Sequence, residues 1–190
     1  MKLLDIFKQK MKNYSINIEF CWIKLPNSEF RIKVNKKNIE GLSDFELLQM
    51  NHERICDFCC DKHTGISNFN KLNKSQRTLY SIFIIVGDVN NGGFIQFFQN
   101  TKDEFFDGGL MAFTLIKDIK THKIFSEAIM IYKRNKKFLS AEDLDAPLNK
   151  SDERRLDKLE EKFYDLDDER EKKLIRYVKE NLSDFIIIKE

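Results

Sequence analysis

Apolar residues recur with two different periods along the chain, and the change of period separates an N-terminal segment from a helical body. Residues 1–12 carry apolar side chains at helical spacing. Between residues 14 and 35, apolar and polar residues alternate on either side of a turn at Pro26, Asn27 and Ser28, which predicts a β-hairpin. Because an isolated hairpin is only marginally stable in water, we expect it to pack on the helices or on a partner.

From Ser43 onwards the apolar spacing is helical. Ser43 and Glu46 have the spacing of a capping box, and they predict a helix start. Ser75 and Ser151 are predicted as the N-caps of two later helices, and Asp167 or Asp168 as the start of the last one. Glycine pairs predict breaks between helices at residues 90–93 and at residues 108–109.

The fold class that follows is mainly α, a domain of about six to eight helices with an N-terminal β-hairpin appendage. We expect residues 1–40 to form the N-terminal helix and hairpin, and residues 41–190 to form the helical domain. Two Pro and seven Gly are few for an all-β fold, which needs many turns. Seventeen Phe against one Trp predict a core built largely on phenylalanine.

Charge changes this picture only locally. The net charge of +2 does not indicate a nucleic-acid-binding protein, but residues 141–190 hold 16 acidic and 11 basic side chains. The start of the chain lacks the apolar stretch of a signal peptide. We therefore expect a cytoplasmic protein in which Cys21, Cys56, Cys59 and Cys60 are reduced thiols.

Three histidines and four cysteines raise the question of a metal or thiol site. A continuous helix would place His52 and His63 roughly 16 Å apart, too far to share one ion. A pair such as His52 and Cys56 could supply half of a site, and Cys59 or Cys60 beside His63 could form a thiol–imidazole pair. We favour small core side chains instead, and predict neither a metal nor another cofactor.

The most informative motif is a glycine turn between an apolar run and an aromatic helix start. Glycine accepts the positive φ that such a turn requires, and the following phenylalanines can fill the core. An alternative is a polar ligand or enzyme pocket around Asn90, Asn91, Gln96 and Asn100. The motif consists of Asn90, Asn91, Gly92, Gly93, Phe94, Gln96, Phe97, Phe98 and Asn100.

This motif, with Leu79 and Tyr80 before it, resembles the signature of a bacterial family of domains that is named for a DNA-mimic protein. The later segments from Leu156 to Tyr164 and from Leu174 to Phe185 resemble the C-terminal helices of that family, so the resemblance covers roughly residues 70–190. It implies a mostly helical fold. It also implies a role in which acidic side chains imitate DNA phosphates and occupy a DNA-binding protein.

We therefore expect a non-enzymatic interaction protein whose C-terminal acidic helices contact a protein partner, such as a DNA-binding regulator. No direct binding to nucleic acid or membrane is expected. A second alternative to this function is an immunity-type or structural partner that binds through the hairpin edge by strand addition. The acidic residues expected to make contact are Asp143, Asp145, Asp157, Glu160, Glu161, Asp165 and Asp168.

Overall fold

The computed structural model describes residues 31–59, 68–101, 103–135 and 149–189. The predicted N-terminal helix and the first arm of the hairpin lie outside these residues. The elements in chain order are β1 (Ile32–Asn35), α1 (Lys36–Glu40), α2 (Asp44–Cys59), a 3₁₀ turn (Phe69–Lys71), α3 (Lys74–Asn100), α4 (Glu104–Leu115), α5 (Ile119–Arg134), α6 (Lys150–Tyr164), α7 (Asp167–Glu180), α8 (Leu182–Phe185) and β2 (Ile186–Lys189). The mainly helical prediction is confirmed.

The capping box predicted at the start of α2 is confirmed. The Glu46 carboxylate accepts the Ser43 backbone N–H at 2.8 Å, and the Ser43 hydroxyl accepts the Glu46 backbone N–H at 3.2 Å. These hydrogen bonds also lower the pKa of Glu46 below its ordinary value. Both residues are local in sequence, which is why the pattern could be read without the fold.

The predicted N-cap of α3 is wrong by two residues. Asn73 is the cap, because its side-chain oxygen accepts the Gln76 backbone N–H at 2.9 Å. In the other direction, the Gln76 side-chain oxygen accepts the Asn73 backbone N–H at 3.1 Å. Ser75 lies inside the helix, and its hydroxyl instead donates to Asp184 near the C-terminal strand. Likewise Asn149, not Ser151, caps α6.

The prediction of a break at residues 108–109 is also wrong. Helix α4 runs through both glycines without interruption. Gly109 is a point of close packing: a Cβ there would lie 2.5 Å from Ile85 Cδ1 and 2.7 Å from Phe125 Cε1. The glycine allows α4 to approach α3 and α5, so here it indicates helix contact rather than a turn.

Phenylalanine side chains form the centre of the core, as predicted. Phe94, Phe97 and Phe98 at the end of α3 contact aromatic rings from α4, α5 and α6. The ring centroids of Phe98 and Tyr132 are 4.6 Å apart, and those of Phe94 and Phe163 are 5.4 Å apart. The fully buried phenylalanines include Phe69, Phe83, Phe94, Phe97, Phe105, Phe106, Phe113, Phe125 and Phe163.

The predicted strand before Lys36 is present, and its described neighbour comes from the other end of the domain. β1 pairs in parallel with β2, with Ile32 opposite Ile186 and Val34 opposite Ile188. The predicted antiparallel partner of β1, the first arm of the hairpin, lies outside the described residues. The apolar end of the chain thus docks as a strand.

One described helix, α3, is long and apolar enough to cross a membrane by length and composition alone. Of its most apolar window, 67% is buried inside the domain, and the central helix of a protein outside any membrane passes the same test. The finding is therefore weak support for a membrane span.

We predict that Gly109→Ala lowers the free energy of unfolding by about 1–3 kcal/mol, because the new methyl group must displace the Ile85 and Phe125 side chains. Urea denaturation measures the change. Gly41→Ala is the matched control, since its Cβ would meet only the Lys37 carbonyl oxygen at 3.9 Å. Equal stability of the two variants would contradict the close approach.

Candidate functional site

The glycine motif forms a sharp kink that divides α3 into two arms. Gly93 has φ 76° and ψ −177°, a conformation that side-chain-bearing residues rarely adopt. The Asp88 side chain lies close enough to Asn100 for that amide to lower its pKa, although a straight helix would separate residues with this spacing by roughly 18 Å. The second arm therefore folds back towards the first.

Glu160 of α6 caps the second arm. Its Oε1 accepts the backbone N–H of Phe94 at 2.7 Å, a group that the kink leaves without a helical partner. A Cβ on Gly93 would lie 2.4 Å from the same oxygen, so glycine is required by space as well as by φ. Burial raises the pKa of Glu160 and Asp157 raises it further, while the Phe94 hydrogen bond opposes the shift.

Two neighbours of Glu160 hold the first arm. The Tyr164 hydroxyl, one helical turn after Glu160, donates to the Val89 carbonyl at 2.9 Å. The Asn90 side chain donates to Asp167 at 3.4 Å. We call Glu160, Tyr164 and Asp167 the kink clamp, because they contact backbone or side-chain groups on both sides of Gly93.

The polar residues of the motif lie at this kink. Asn90 contacts Asp167, Asn100 contacts Asp88, and the Gln96 side chain lies against Gly92. Asn91 is exposed. The Asn90 contact connects the motif to α7, and the contacts of Asn100 and Gln96 lie within α3 at the kink itself.

Several acids of the C-terminal helices are engaged in ion pairs around the buried Arg170. Arg170 is 1% exposed, stacks on the Phe163 ring at 3.9 Å and forms an ion pair with Asp167. Hydrogen bonds from Lys120 and Lys173 lower the pKa of Glu169 to about 2. The Lys120–Glu169 pair joins α5 to α7, and both acids are already paired with cations of the same protein.

The acids predicted to bind a partner divide into different environments. Glu160 is half-buried and belongs to the kink clamp, whereas Asp157, Glu161, Asp165 and Asp168 are exposed. Among the described residues, Asp157, Glu161 and Asp165 form no ion pair within 4.0 Å. Asp143 and Asp145 lie outside the described residues.

Acidic and basic side chains share the solvent side of α6. With 3.6 residues per turn, Glu153 and Asp157 fall beside Glu160, towards the kink, and Glu161 falls farther round the helix, next to Arg154. We call Glu153, Asp157 and Glu161 the acidic flank. The basic residues Arg155, Lys158 and Lys162 lie beyond Arg154 on the side towards α5, which we call the basic side, and Arg155 pairs there with Glu127 of α5 at 2.9 Å.

An open groove of about 460 Å³ lies on the basic side, between α5 and α6. Its apolar lining comes from Ile124, Leu159 and Leu166, and its charged lining comes from Lys120, Lys123, Glu127, Lys162 and Asp165. The groove therefore has mixed charge and does not extend the acidic flank.

The cysteine and histidine stripe of α2 faces the core in part. His52 stacks on Phe83 with ring centroids 3.7 Å apart, and Cys59 is buried. Cys21, Cys60 and His63 lie outside the described residues. Within the described ranges, no three His, Cys, Asp or Glu side chains are grouped as a metal site would require.

Sequence reasoning missed the roles of Glu160, Asp88 and Tyr164. Nothing in the acidic run distinguishes Glu160 from Glu161, because the difference arises only when α6 packs on the kink. Asp88 did carry a signal, since it is a lone carboxylate in an apolar helical run. Burial raises its pKa to about 6, against a lowering by the Asn100 hydrogen bond.

A protein-family model described as DMP19-like protein matches residues 70–181. No curated protein sequence and no solved structure matches the chain significantly. The matched range covers more than half of the chain and contains both the kink of α3 and the clamp residues of α6 and α7.

We predict that Glu160→Ala lowers the free energy of unfolding by about 1–3 kcal/mol, because it leaves the Phe94 N–H without its acceptor. Glu161→Ala, at an exposed neighbouring position, should change it by less than about 0.5 kcal/mol. Chemical denaturation of both variants makes the comparison. If both lose the same stability, Glu160 is not a cap.

Asp88 should make stability depend on pH with an unusual sign. Its pKa is raised from 3.8 to about 6 on folding, so between these values the folded state binds the extra proton and acid stabilises it. A shift of about two pH units corresponds to about 3 kcal/mol. The free energy of unfolding of Asp88→Asn, taken relative to that of the parent protein, should therefore rise by about 1–3 kcal/mol as the pH goes from 4 to 8.

Denaturation of the parent and of Asp88→Asn at each pH gives this difference, in which other titrating groups cancel. A difference that stays constant from pH 4 to pH 8 would contradict the burial of an ionisable Asp88.

Proposed function

Because the chain belongs to the DMP19-like family, as the match over residues 70–181 shows, we propose that it is an interaction protein of the DNA-mimic type. In this proposal, its acidic flank and the neighbouring Asp165 and Asp168 contact a basic surface on a protein partner. The partner class is a DNA-binding protein, whose surface is shaped to accept phosphate charge. No catalytic step is assigned.

The observation that carries the proposal is that exposed acids of α6 form no ion pair although bases lie one turn away. Arg154 and Lys158 stand three residues before Asp157 and Glu161, a spacing at which opposite charges on a helix can pair. Within the described residues Asp157 and Glu161 nevertheless make no ion pair, and Arg155 is occupied by Glu127. Exposed carboxylates that pair with no cation in the described part of the chain are available to a cation on another protein.

The acidic flank is short and its charges are widely spaced, which favours a short basic element on the partner as its target. A DNA duplex carries one charge per about 1.7 Å of its axis, whereas Asp157 and Glu161 are about 6 Å apart along the helix. The whole chain also has a net charge of +2. We therefore propose contact with a short basic element, such as a recognition helix, rather than imitation of a long duplex.

The proposed surface is built on an element with little freedom. Glu160 and Tyr164 of α6 are bonded to α3, and Leu156, Leu159 and Phe163 are buried. Holding the carboxylates on a packed helix reduces the conformational entropy that binding must remove.

The test captures DNA-binding proteins from a native lysate on the immobilised protein at low and at high salt, with duplex DNA as a competitor. We expect at least one to be retained at low salt and displaced by salt or DNA, because exposed charge pairs are screened. Retention that resists both would contradict the proposal.

Neutralising the acidic side chains should then weaken binding to the captured protein. The variant Asp157→Asn/Glu161→Gln/Asp165→Asn should bind at least about tenfold more weakly at low salt and show a shallower salt dependence. The matched control is Asp57→Asn/Glu180→Gln/Asp107→Asn, which changes the net charge equally at exposed positions elsewhere. Titration calorimetry measures the affinity of both variants for the captured protein. An equal loss of affinity in the two variants would indicate only an effect of net charge and would contradict the proposed surface.

A further inference from the structure

Helix α2 carries a pair of thiols that the proposed interaction does not use. Cys56 and Cys59 have the Cys-x-x-Cys spacing that dithiol redox sites use. Neither forms a disulfide in this structure. Cys56 is partly accessible, whereas Cys59 is only 2% exposed. The two thiols therefore differ in access to a reagent from solution.

A base lies beside the accessible thiol. His52 is one helical turn before Cys56, and its Nε2 is 3.1 Å from the Cys56 Sγ. The imidazole is held in place by stacking on Phe83, with ring centroids 3.7 Å apart. A neutral imidazole that accepts the S–H hydrogen bond can take the proton as the thiolate forms.

The backbone permits the two sulfurs to join. Helix geometry places the Cα atoms of Cys56 and Cys59 roughly 5 Å apart, within the range found in disulfides. Their Cβ atoms must approach by about 1 Å, because residues at this spacing in a helix are somewhat too distant. Cys59 is the last residue of α2, and its carbonyl accepts a hydrogen bond from the Asn68 N–H at 3.4 Å.

We propose that Cys56 and Cys59 are a thiol–disulfide couple, in which His52 takes the proton of Cys56. The oxidant is a low-molecular-weight disulfide. The Cys56 sulfur attacks one of its sulfurs, the S–S bond breaks, and the released thiolate takes the proton from His52. The Cys59 sulfur then attacks the mixed disulfide, and a second small thiol leaves with the Cys59 proton. The two cysteines lose two electrons and the small disulfide gains them.

The consequence is a last turn of α2 that responds to the thiol–disulfide balance around the protein. The proposal concerns a different element from the acidic flank of α6, so either can fail without the other. Its charged neighbours on α2 are Glu53, Arg54 and Asp57, and the ring that packs on His52 from α3, Phe83, carries no charge.

The first test measures the rate of Cys56 alkylation by iodoacetamide against pH, with the modified residue located by peptide mass spectrometry. We expect a midpoint at or below about pH 7.5, and a midpoint at least one pH unit higher in His52→Phe, which retains the aromatic stack. Cys59 in the same peptide is the internal control and should react slowly. An ordinary midpoint near 8.5 in the parent, or no change in His52→Phe, would overturn the role of His52.

The second test equilibrates Cys60→Ser with mixtures of glutathione and glutathione disulfide, which removes the adjacent thiol as a competing partner. In Cys60→Ser we expect an internal disulfide between Cys56 and Cys59. In the double variant Cys59→Ser/Cys60→Ser we expect the mixed disulfide of Cys56 with glutathione to persist, because no second thiol can displace the glutathione. A persistent mixed disulfide with Cys59 present, or no oxidation, would overturn the couple. Circular dichroism and the urea midpoint show whether each variant is folded. If His52→Phe does not fold, His52→Gln takes its place in the first test.

Discussion

The hydrogen bond from Phe94 N–H to the Glu160 carboxylate is the contact on which the arrangement of this domain depends. A helix that breaks inside a core exposes backbone groups that must find partners. Here one partner is a carboxylate from a helix more than sixty residues later in the chain. Tyr164 satisfies the Val89 carbonyl on the other side of the break. One turn of α6 therefore stabilises both ends of the kink.

The kink in turn sets the composition of the core. Because the second arm of α3 folds back, Phe94, Phe97 and Phe98 project among α4, α5 and α6 instead of continuing along the first arm. Five rings from these three helices meet around the three side chains: Phe105, Phe106, Phe125, Tyr132 and Phe163. Large aromatic groups suit this position because they fill the space between helices that cross at a sharp angle, and edge-to-face contacts add stability beyond burial.

Local features of the fold could be predicted from the sequence, and features that depend on distant contacts could not. The Ser43–Glu46 capping box and the turn at Gly93 are visible within a few residues. The N-cap of α3 was misplaced because Asn73 and Ser75 are both good caps, and the choice depends on Asp184. The prediction of a break at Gly109 is wrong because a glycine that permits helix contact looks the same in sequence as one that ends a helix.

The candidate site shows the same limit. The acidic run between Asp152 and Glu171 is evident in the sequence, but its members have four different roles. Asp152 is buried against Asn135, Asp167 pairs with Arg170, Glu160 caps α3, and Asp157 faces solvent. Only the position of each residue relative to α3, α5 and α7 separates these roles, and no local pattern records it.

The parallel pairing of β1 with β2 has a consequence for synthesis of the protein. Ile32 emerges from the ribosome long before Ile186, its neighbour in the sheet. Throughout elongation, β1 therefore has an edge that lacks this partner, while α2 to α7 are already able to collapse around their aromatic core. Closure of the sheet is a late event that joins the two ends of the described fold, so nascent chains carry an unpaired strand that chaperones or other nascent chains can engage.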